Sequence, residues 1–224
     1  MKKLAITFCC LSALVLGGVA GVGAGTEEHY MYTENNGGKH YVFAWGLLLS
    51  EYATVVSESD NERSVNNCRL NGETTRWEIK KTDMDMVAVR QEKTIVFRGK
   101  MQGRAVEQTI AIDGLPWYQP LSFSLRNFLQ SKKDSVDFWM IRPDKLEPVK
   151  MRATRQSSEK IEVNKREEIA VRVEVRLTGL LAGLWSCQYW FRQEDGVFLK
   201  YEGVHGPPGT PKTVIQLSGR QKTG

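Results

Sequence analysis

The chain has 224 residues, of which 41% are hydrophobic and 25% are charged, which is enough for one domain with a substantial core. Its 31 basic and 26 acidic side chains give a formal net charge of +5. The two signs alternate closely, as in residues 159–168, and this mixing is typical of a solvated face and excludes a nucleic-acid-binding track.

The first 24 residues predict a secretory signal. Two lysines follow the initial methionine, an apolar run extends to Val22, and Ala24 is a small residue of the kind found at a cleavage point. We therefore expect cleavage after Ala24 and a periplasmic protein. A retained membrane anchor is the alternative. Lipidation is disfavoured because Cys9 and Cys10 lie near the start of the apolar run rather than at its end.

The rest of the chain is predicted to be mainly β. Residues 25–39 are polar and end in a glycine-rich turn, so we expect a flexible leader, followed by a single β domain over 40–218 and a short tail over 219–224. Within the domain, residues 169–177 alternate apolar and charged side chains, which is the period of a half-buried strand. Further strands are predicted at 41–45, 76–80, 86–90, 94–98 and 105–112.

One segment has the period of a helix. In residues 120–130, the side chains of Leu121, Leu125, Phe128 and Leu129 recur on one face of a helix. Pro120 suits its first position. A lone amphipathic helix must bury its apolar face against a sheet, because it cannot bury that face alone.

Residues 185–201 predict a hairpin with aromatic side chains on both faces. Asp195 and Gly196 form a tight-turn signal, and Val197 lies opposite either Arg192 or Glu194, two registers that give the same faces. One face carries Cys187, Tyr189, Phe191, Phe198 and Lys200, and the other carries Trp190, Arg192, Val197, Leu199 and Tyr201. We expect the helix, a second sheet or a ligand to cover both faces, although aromatic hairpins more often belong to a core than to a binding site.

Two cysteines remain after the predicted cleavage, Cys68 and Cys187. In an oxidising compartment they could form a disulfide, and closing a loop of that length adds about 4–5 kcal/mol in the chain-entropy model. The alternative is a pair of buried thiols that act as small apolar side chains.

Catalytic, metal and nucleotide motifs are not found. Residues 206–213, GPPGTPKT, come close to a phosphate-binding loop, but Pro211 replaces the required glycine and removes a backbone donor, and the residues that follow read as a strand. We predict a loop between two strands and no nucleotide. The three histidines have no zinc-ligand spacing and no nucleophile elbow is present, so we predict no catalytic, metal or cofactor-binding residue.

Several segments together resemble an uncharacterised family of bacterial periplasmic proteins. They are YVFAWG at 41–46, PLSFSLR at 120–126, YWF at 189–191 and residues 197–203. The resemblance implies long antiparallel strands that curl into an open half-barrel, similar to lipoprotein carriers of the LolA kind, with helical residues on the concave side. It supplies no catalytic residues.

Together these observations predict a strongly curved antiparallel sheet with one amphipathic helix on its concave face. The expected function is non-catalytic: the protein would bind a lipid or acyl chain of the cell envelope in that concavity, through apolar burial. The predicted lining residues are Trp45, Trp139, Trp190 and Leu199. The alternatives are a structural or protein-interaction module in envelope maintenance and, less favoured, an unrecognised hydrolase.

Overall fold

The computed structural model describes residues 25–179, 182–204 and 210–220. The predicted signal peptide therefore lies outside the described residues. Within these ranges the chain forms strands and one helix, α1. Their bounds are β1 Thr26–Asn36, β2 Lys39–Leu49, β3 Ala53–Glu58, β4 Glu62–Cys68, β5 Thr74–Lys81, β6 Met84–Gln91, β7 Thr94–Met101, β8 Arg104–Ala111, α1 Leu121–Gln130, β9 Ser135–Arg142, β10 Glu147–Val163, β11 Arg166–Leu177, β12 Ser186–Arg192, β13 Phe198–Val204 and β14 Lys212–Arg220.

All fourteen strands belong to one antiparallel sheet in the order β8-β7-β6-β5-β4-β3-β2-β1-β14-β13-β12-β11-β10-β9. Most neighbours are consecutive in the chain, as short turns between antiparallel strands require. The exception is β1, which lies beside β14 and joins the first and last strands in the middle of the sheet. The sheet is not closed and forms an open half-barrel, which confirms the predicted fold class.

The predicted leader is wrong, because its residues form the central strand β1. Glu28, Tyr30 and Tyr32 are buried at alternate positions, and the Tyr32 hydroxyl donates a hydrogen bond of 2.8 Å to the Phe198 carbonyl. The pattern was hidden because the inward-facing Glu28 is charged and the outward-facing Met31 is apolar. The predicted tail is likewise too long, since Gly219 and Arg220 pair with β1 as part of β14.

Helix α1 is confirmed, and it packs inside the curve of the sheet. Its apolar side chains belong to one core cluster together with side chains of β1–β3 and β9–β13, strands that lie far apart in the sheet order. Such a cluster requires the sheet to bend around the helix. Phe123 and Ser124 are buried in addition to the predicted face, so α1 is enclosed on more than one side.

The β12–β13 hairpin contains a bulge that the sequence pattern did not predict. Phe191 pairs with Phe198 as expected, but Trp190 pairs with Lys200, so one residue of β13 is extra. Beyond the bulge the side chains change faces. Tyr201 therefore joins Tyr189 in the inner core, and Lys200 lies over the Trp190 ring at 5.1 Å from its centroid.

The outer face of this hairpin is covered by the chain itself. Val163, Ala170, Trp190 and Leu199 form a separate buried cluster, to which the tip of the β10–β11 hairpin contributes. That tip is fastened to β14 by two hydrogen bonds, from the Asn164 amide to the Ser218 carbonyl at 2.9 Å and from the Gln216 amide to the Glu162 carbonyl at 3.1 Å. Protein side chains thus cover both aromatic faces.

At one edge of the sheet, the strand β9 is covered by another segment of the chain. Residues 113–119, here called the seam segment, run along the free edge of β9: the Tyr118 N–H donates to the Trp139 carbonyl and the Trp139 N–H donates to the Pro116 carbonyl, both at 2.8 Å. The seam segment also accepts a hydrogen bond from the Thr74 N–H at the start of β5. It therefore bridges the gap between β5 and β9. In the described part of the chain, no helix has the length and apolar character needed to cross a membrane.

Candidate functional site

Helix α1 occupies the concavity that the sequence assigned to a ligand. Leu121, Phe123, Leu125 and Phe128 fill the space beneath it. Open space remains on either side of the helix. One cleft, the seam cleft, has a volume of about 650 Å³ and opens between α1, the seam segment and β9. The other, the arginine cleft, measures about 420 Å³ and lies between α1 and the β12–β13 turn.

The seam cleft combines apolar walls with a polar rim. Its apolar wall comprises Leu115, Pro116, Tyr118, Phe128 and Val136. Its polar rim comprises Asn71, Glu73, Asn127, Ser131, Lys133, Ser135, Asp137 and Arg152. Small-molecule sites usually place a few polar groups on an apolar lining; here eight polar residues accompany five apolar ones, and the volume lies within the usual range of such sites.

Tyr118 is the buried polar residue of the seam cleft. Its ring stacks on Phe138 at 5.1 Å between centroids, and only 7% of the residue is exposed. The hydroxyl makes no hydrogen bond to another described residue. Burial, with a smaller contribution from Glu73, raises the pKa of Tyr118, so the phenol keeps its proton at neutral pH and remains a hydrogen-bond donor.

The carboxylates at the rim are already neutralised. Glu73 forms ion pairs with Arg90 at 2.5 Å and Arg69 at 3.0 Å. Asp137 accepts two hydrogen bonds from Arg152, at 2.6 and 2.9 Å, and these hydrogen bonds lower the pKa of Asp137. The exposed ammonium of Lys133, by contrast, makes no ion pair with any residue in the described ranges. The available charge at the cleft is therefore positive.

Asp113 holds the seam segment in place. One carboxylate oxygen accepts hydrogen bonds from the Leu115 N–H at 2.9 Å and the Trp139 indole at 2.8 Å, and the other accepts one from Lys150 at 3.1 Å. These three donors, led by the Leu115 N–H, lower the pKa of Asp113 to about 2. Since Leu115 lines the seam cleft, this carboxylate fixes part of the cleft wall.

The arginines that line the arginine cleft form ion pairs and hydrogen bonds with other residues of the protein. The Arg126 Nη1 contacts both carboxylate oxygens of Glu28, and Arg192 pairs with Glu168 and Asp195. Arg155 donates to the carbonyls of Leu129 and Ser131, at 2.8 and 2.7 Å, where α1 ends. Arg126 and Arg155 therefore fix α1 to the sheet, and Arg155 caps its C-terminus.

The four predicted lining residues do not come together. Trp45 lies in the main core and donates to the Ser122 hydroxyl at 3.1 Å, and half-buried Trp139 packs on a second cluster built from β5–β9. Trp190 and Leu199 lie in the outer cluster, where the Trp190 indole donates to Glu159 at 2.6 Å. None of the four lines either cleft.

Most residues that line the seam cleft were not predicted from the sequence. Phe128 lies on the predicted helix face, but Tyr118, Lys133 and Val136 fall in segments without a clear period. The one available signal was Gly114-Leu115-Pro116, which predicts a turn next to aromatic residues.

Of the two alternatives for the cysteines, the structure has the free thiols and not the disulfide. Cys68 and Cys187 are free, buried thiols on β4 and β12, strands separated by five others in the sheet order. The Cys68 thiol lies 3.8 Å from the Thr74 hydroxyl. Burial raises the pKa of Cys68 to about 12 and raises that of Cys187 further, so neither thiol ionises at neutral pH to act as a nucleophile.

The segment that comes close to the phosphate-loop motif, residues 206–213, follows β13 in the chain and runs into β14. Residues 205–209 lie outside the described residues. Val204 pairs with Lys212, the Lys212 ammonium pairs with Glu202, and a strand follows instead of the helix that a phosphate loop needs. In the described ranges, no three His, Cys, Asp or Glu side chains cluster as a metal site would require.

Comparison with known proteins shows a shared fold. No family model matches the chain, and no curated protein matches it. A β-barrel-like protein of domain of unknown function DUF1849 from Brucella abortus superposes with a TM-score of 0.60 at 8% identity, covering 88% of this chain and 98% of that one.

Two further solved structures match more weakly. They are the hypothetical lipoprotein YmcC from Escherichia coli, with a TM-score of 0.42, 13% identity and coverage of 88% and 85%, and a LolA-superfamily protein from Nitrosomonas europaea, with a TM-score of 0.22, 11% identity and coverage of 89% and 86%. Scores this low support no comparison of sites. The chain therefore has the barrel-like fold of an uncharacterised bacterial protein, as its sequence resemblance implied.

Proposed function

We propose that this protein is an exported, non-catalytic binding protein that takes a single-chain amphiphile with an anionic head, such as a fatty acid, in the seam cleft. The observation that carries the proposal is Tyr118, which lines a cleft of about 650 Å³ and whose hydroxyl has no hydrogen-bond partner among the described residues. Lys133 supplies the charge that an anionic head needs.

The ligand is assigned to the seam cleft and not to the space beneath α1. Burial of the four apolar side chains of α1 contributes about 6–12 kcal/mol, at about 1.5–3 kcal/mol each. A ligand that displaced the helix would have to replace this burial and also break the Arg126 pair with Glu28. A ligand in the seam cleft displaces only solvent.

Binding would combine apolar burial with two polar contacts. Each 100 Å² of alkyl surface buried against Leu115, Phe128 and Val136 contributes about 2.5 kcal/mol. The Tyr118 hydroxyl and the Lys133 ammonium would orient the carboxylate at the mouth. This division of roles requires no proton transfer or covalent step.

Export is supported by the sequence alone. A basic start, an apolar run and a small residue at position 24 precede the first described residue. Fractionation of a bacterial host that expresses the full chain, followed by mass measurement, should recover a periplasmic protein that begins at Gly25. A protein recovered with residues 1–24 intact in the membrane fraction would contradict it.

The binding proposal is tested with a fluorescent fatty acid, 11-(dansylamino)undecanoic acid. Wild-type protein should bind it saturably with a Kd in the micromolar range. Tyr118→Phe should raise the Kd about 10-fold, because it removes a hydrogen bond to a charged group. Lys133→Ala should raise it a few-fold, and Val136→Trp should abolish binding by filling the cleft.

Matched controls separate the site from general effects. Tyr41→Phe and Lys100→Ala alter exposed residues outside the cleft and should leave the Kd unchanged. Non-saturable binding by the wild-type protein, or saturable binding that survives Val136→Trp in a folded protein, overturns the assignment.

One observation favours the alternative function, a protein-interaction module. Strand β8 ends the sheet and pairs with β7 alone.

A further inference from the structure

The edge of β8 lacks the covering that the opposite edge of the sheet receives. At β9, the seam segment supplies backbone partners, and the Gln119 side chain adds two hydrogen bonds to Ile141, accepting from its N–H at 3.1 Å and donating to its carbonyl at 3.0 Å. At β8, residues 104–111 are exposed except for half-buried Val106 and Ile110. Natural sheets usually protect such edges.

The unpaired backbone groups of β8 can be identified from its register. Met101 and Arg104 pair across the two-residue turn between β7 and β8, and further along the Ile112 N–H donates to the Lys93 carbonyl. Even-numbered residues of β8 therefore point their backbone groups towards β7. The N–H and carbonyl groups that point away belong to Ala105, Glu107, Thr109 and Ala111.

The side chains of β8 do not prevent pairing. The strand contains no proline, and its charged residues are Arg104 at one end and Glu107, which pairs with Arg98 of β7 at 3.1 Å. Val106 and Ile110 lie on the inner face, against the cluster of β5–β9. An added strand would extend this apolar face if it brought apolar residues to the same positions.

We propose that β8 pairs with β8 of a second copy of this chain, antiparallel, about a two-fold axis through Gln108. In this register Val106 lies opposite Ile110 of the partner subunit, and Ala105 lies opposite Ala111 of the partner subunit. On the inner face these apolar pairs flank Gln108, which meets its own copy on the axis, and on the outer face the alanine pairs flank Glu107, which lies opposite Thr109 of the partner subunit. The four outward-pointing residues of each copy form four pairs with two hydrogen bonds each, about eight in all.

Neighbouring registers are less favourable. An axis through Glu107 places that carboxylate opposite Glu107 of the partner subunit, and like charges directly opposite one another are destabilising. A shift by one residue joins the inner face of one copy to the outer face of the other. The match of this strand to its own reverse favours a second copy over an unrelated peptide, and it gives the isologous interface of a two-fold dimer.

The proposal does not depend on ligand binding in the seam cleft, since no residue of β8 lines that cleft. It is tested on the chain from Gly25 by sedimentation velocity over about 1–200 µM, a range that covers micromolar dissociation constants. Wild-type protein should pass from monomer to dimer within this range.

Two substitutions at Thr109 test the edge directly. Thr109→Pro removes an outward N–H without breaking a bond to β7, and it should weaken dimerisation at least 100-fold. Thr109→Glu places a carboxylate opposite Glu107 of the partner subunit and should weaken it about 10-fold. Adding Glu107→Lys to Thr109→Glu creates opposite charges across the interface and should restore the dimer.

Sedimentation velocity is also measured on a control variant. Thr33→Glu changes an exposed position on β1, a strand paired on both sides, and should leave dimerisation unchanged. Circular dichroism and Tm confirm that each variant is folded. A monomer at every concentration, or a dimer that is unaffected by Thr109→Pro and Thr109→Glu in folded protein, overturns the proposal.

Discussion

Asp113 illustrates how single polar residues hold this fold together. Its carboxylate contacts the backbone of the seam segment, the indole of Trp139 on β9 and the ammonium of Lys150 on β10. The residue itself is exposed, so its effect arises from three donors on different parts of the chain and not from burial. Comparable links join Tyr32 to β13 and Trp45 to α1.

The lowered pKa of Asp113 predicts a pH-dependent contribution to stability. The folded-state pKa is about 2, against an ordinary value of 3.8, so the stabilisation is fully present above about pH 4 and is lost as the pH falls through 2. Asp113→Asn should therefore lower the Tm at pH 7, and the difference from wild type should shrink as the pH falls from 4 to 2.

Thermal unfolding followed by circular dichroism at several pH values measures this difference. Asp60→Asn, at an exposed turn between β3 and β4, controls for the loss of one carboxylate. A Tm difference for Asp113→Asn that stays constant down to pH 2 contradicts the assigned role.

At the level of elements, α1 has a weak helical sequence that its surroundings stabilise. It has no side-chain hydrogen bond at its N-cap, no acidic residue in its first turn and no basic residue in its last turn. Its support comes from the sheet: Arg155 caps its last carbonyls, Ser124 donates to the Gly72 carbonyl at 2.7 Å, and Arg126 pairs with Glu28 of β1. Gly72 has a positive φ of 89°, and a Cβ there would lie 3.0 Å from the Ser124 Cα. The helix and the β4–β5 turn are therefore in close contact.

The pair between Arg126 and Glu28 should couple α1 to β1 measurably. Both side chains are mostly buried, and the Arg126 Nη1 lies 2.9 and 3.0 Å from the two carboxylate oxygens of Glu28. We expect a double-mutant cycle with Arg126→Ala and Glu28→Ala to give a coupling of about 1–3 kcal/mol, because each single change leaves a charge poorly solvated.

Urea unfolding of the four proteins provides the free energies for this cycle. The exposed pair of Lys160 and Glu167 serves as a control and should couple by about 0.5 kcal/mol or less. Equal coupling energies in the two cycles would show that the Arg126 pair does not fasten the helix.

At the scale of the whole molecule, stability comes from wrapping a curved sheet around one helix. The main cluster joins α1 to strands from both halves of the sheet, a second cluster fills the space between β5–β8 and β9, and a third lies under the β10–β11 tip. Cys68 and Cys187 both belong to the main cluster, as separate apolar side chains.

Because Cys68 and Cys187 are free thiols, we expect the stability of the fold not to depend on redox conditions. The Tm of the chain from Gly25 should change little when a reductant is added, and a thiol reagent in denaturant should detect both cysteines. In the native protein the same reagent should react slowly, because both thiols are buried and un-ionised. Absence of free thiols in the denatured protein, with a large fall in Tm on reduction, would establish the disulfide.

Local patterns in the sequence were enough to predict the class of fold and several of its elements. The period of residues 120–130 predicted α1, the alternation at 169–177 predicted β11, and Gly196 marked the β12–β13 turn. These features follow from contacts within a few residues, so a local pattern reports them. The resemblance added the open half-barrel, which the shared fold confirms.

Where those elements meet could be learned from the three-dimensional structure alone. The polar strand β1 is central because β2 and β14 pair with it, and Tyr201 faces the core because a bulge shifts β13 by one residue. The seam cleft joins residues of β9 and β10 to a turn far away in the chain. Pairing partners, registers and cavities depend on contacts between residues distant in sequence, and the period of a single segment contains no information about them.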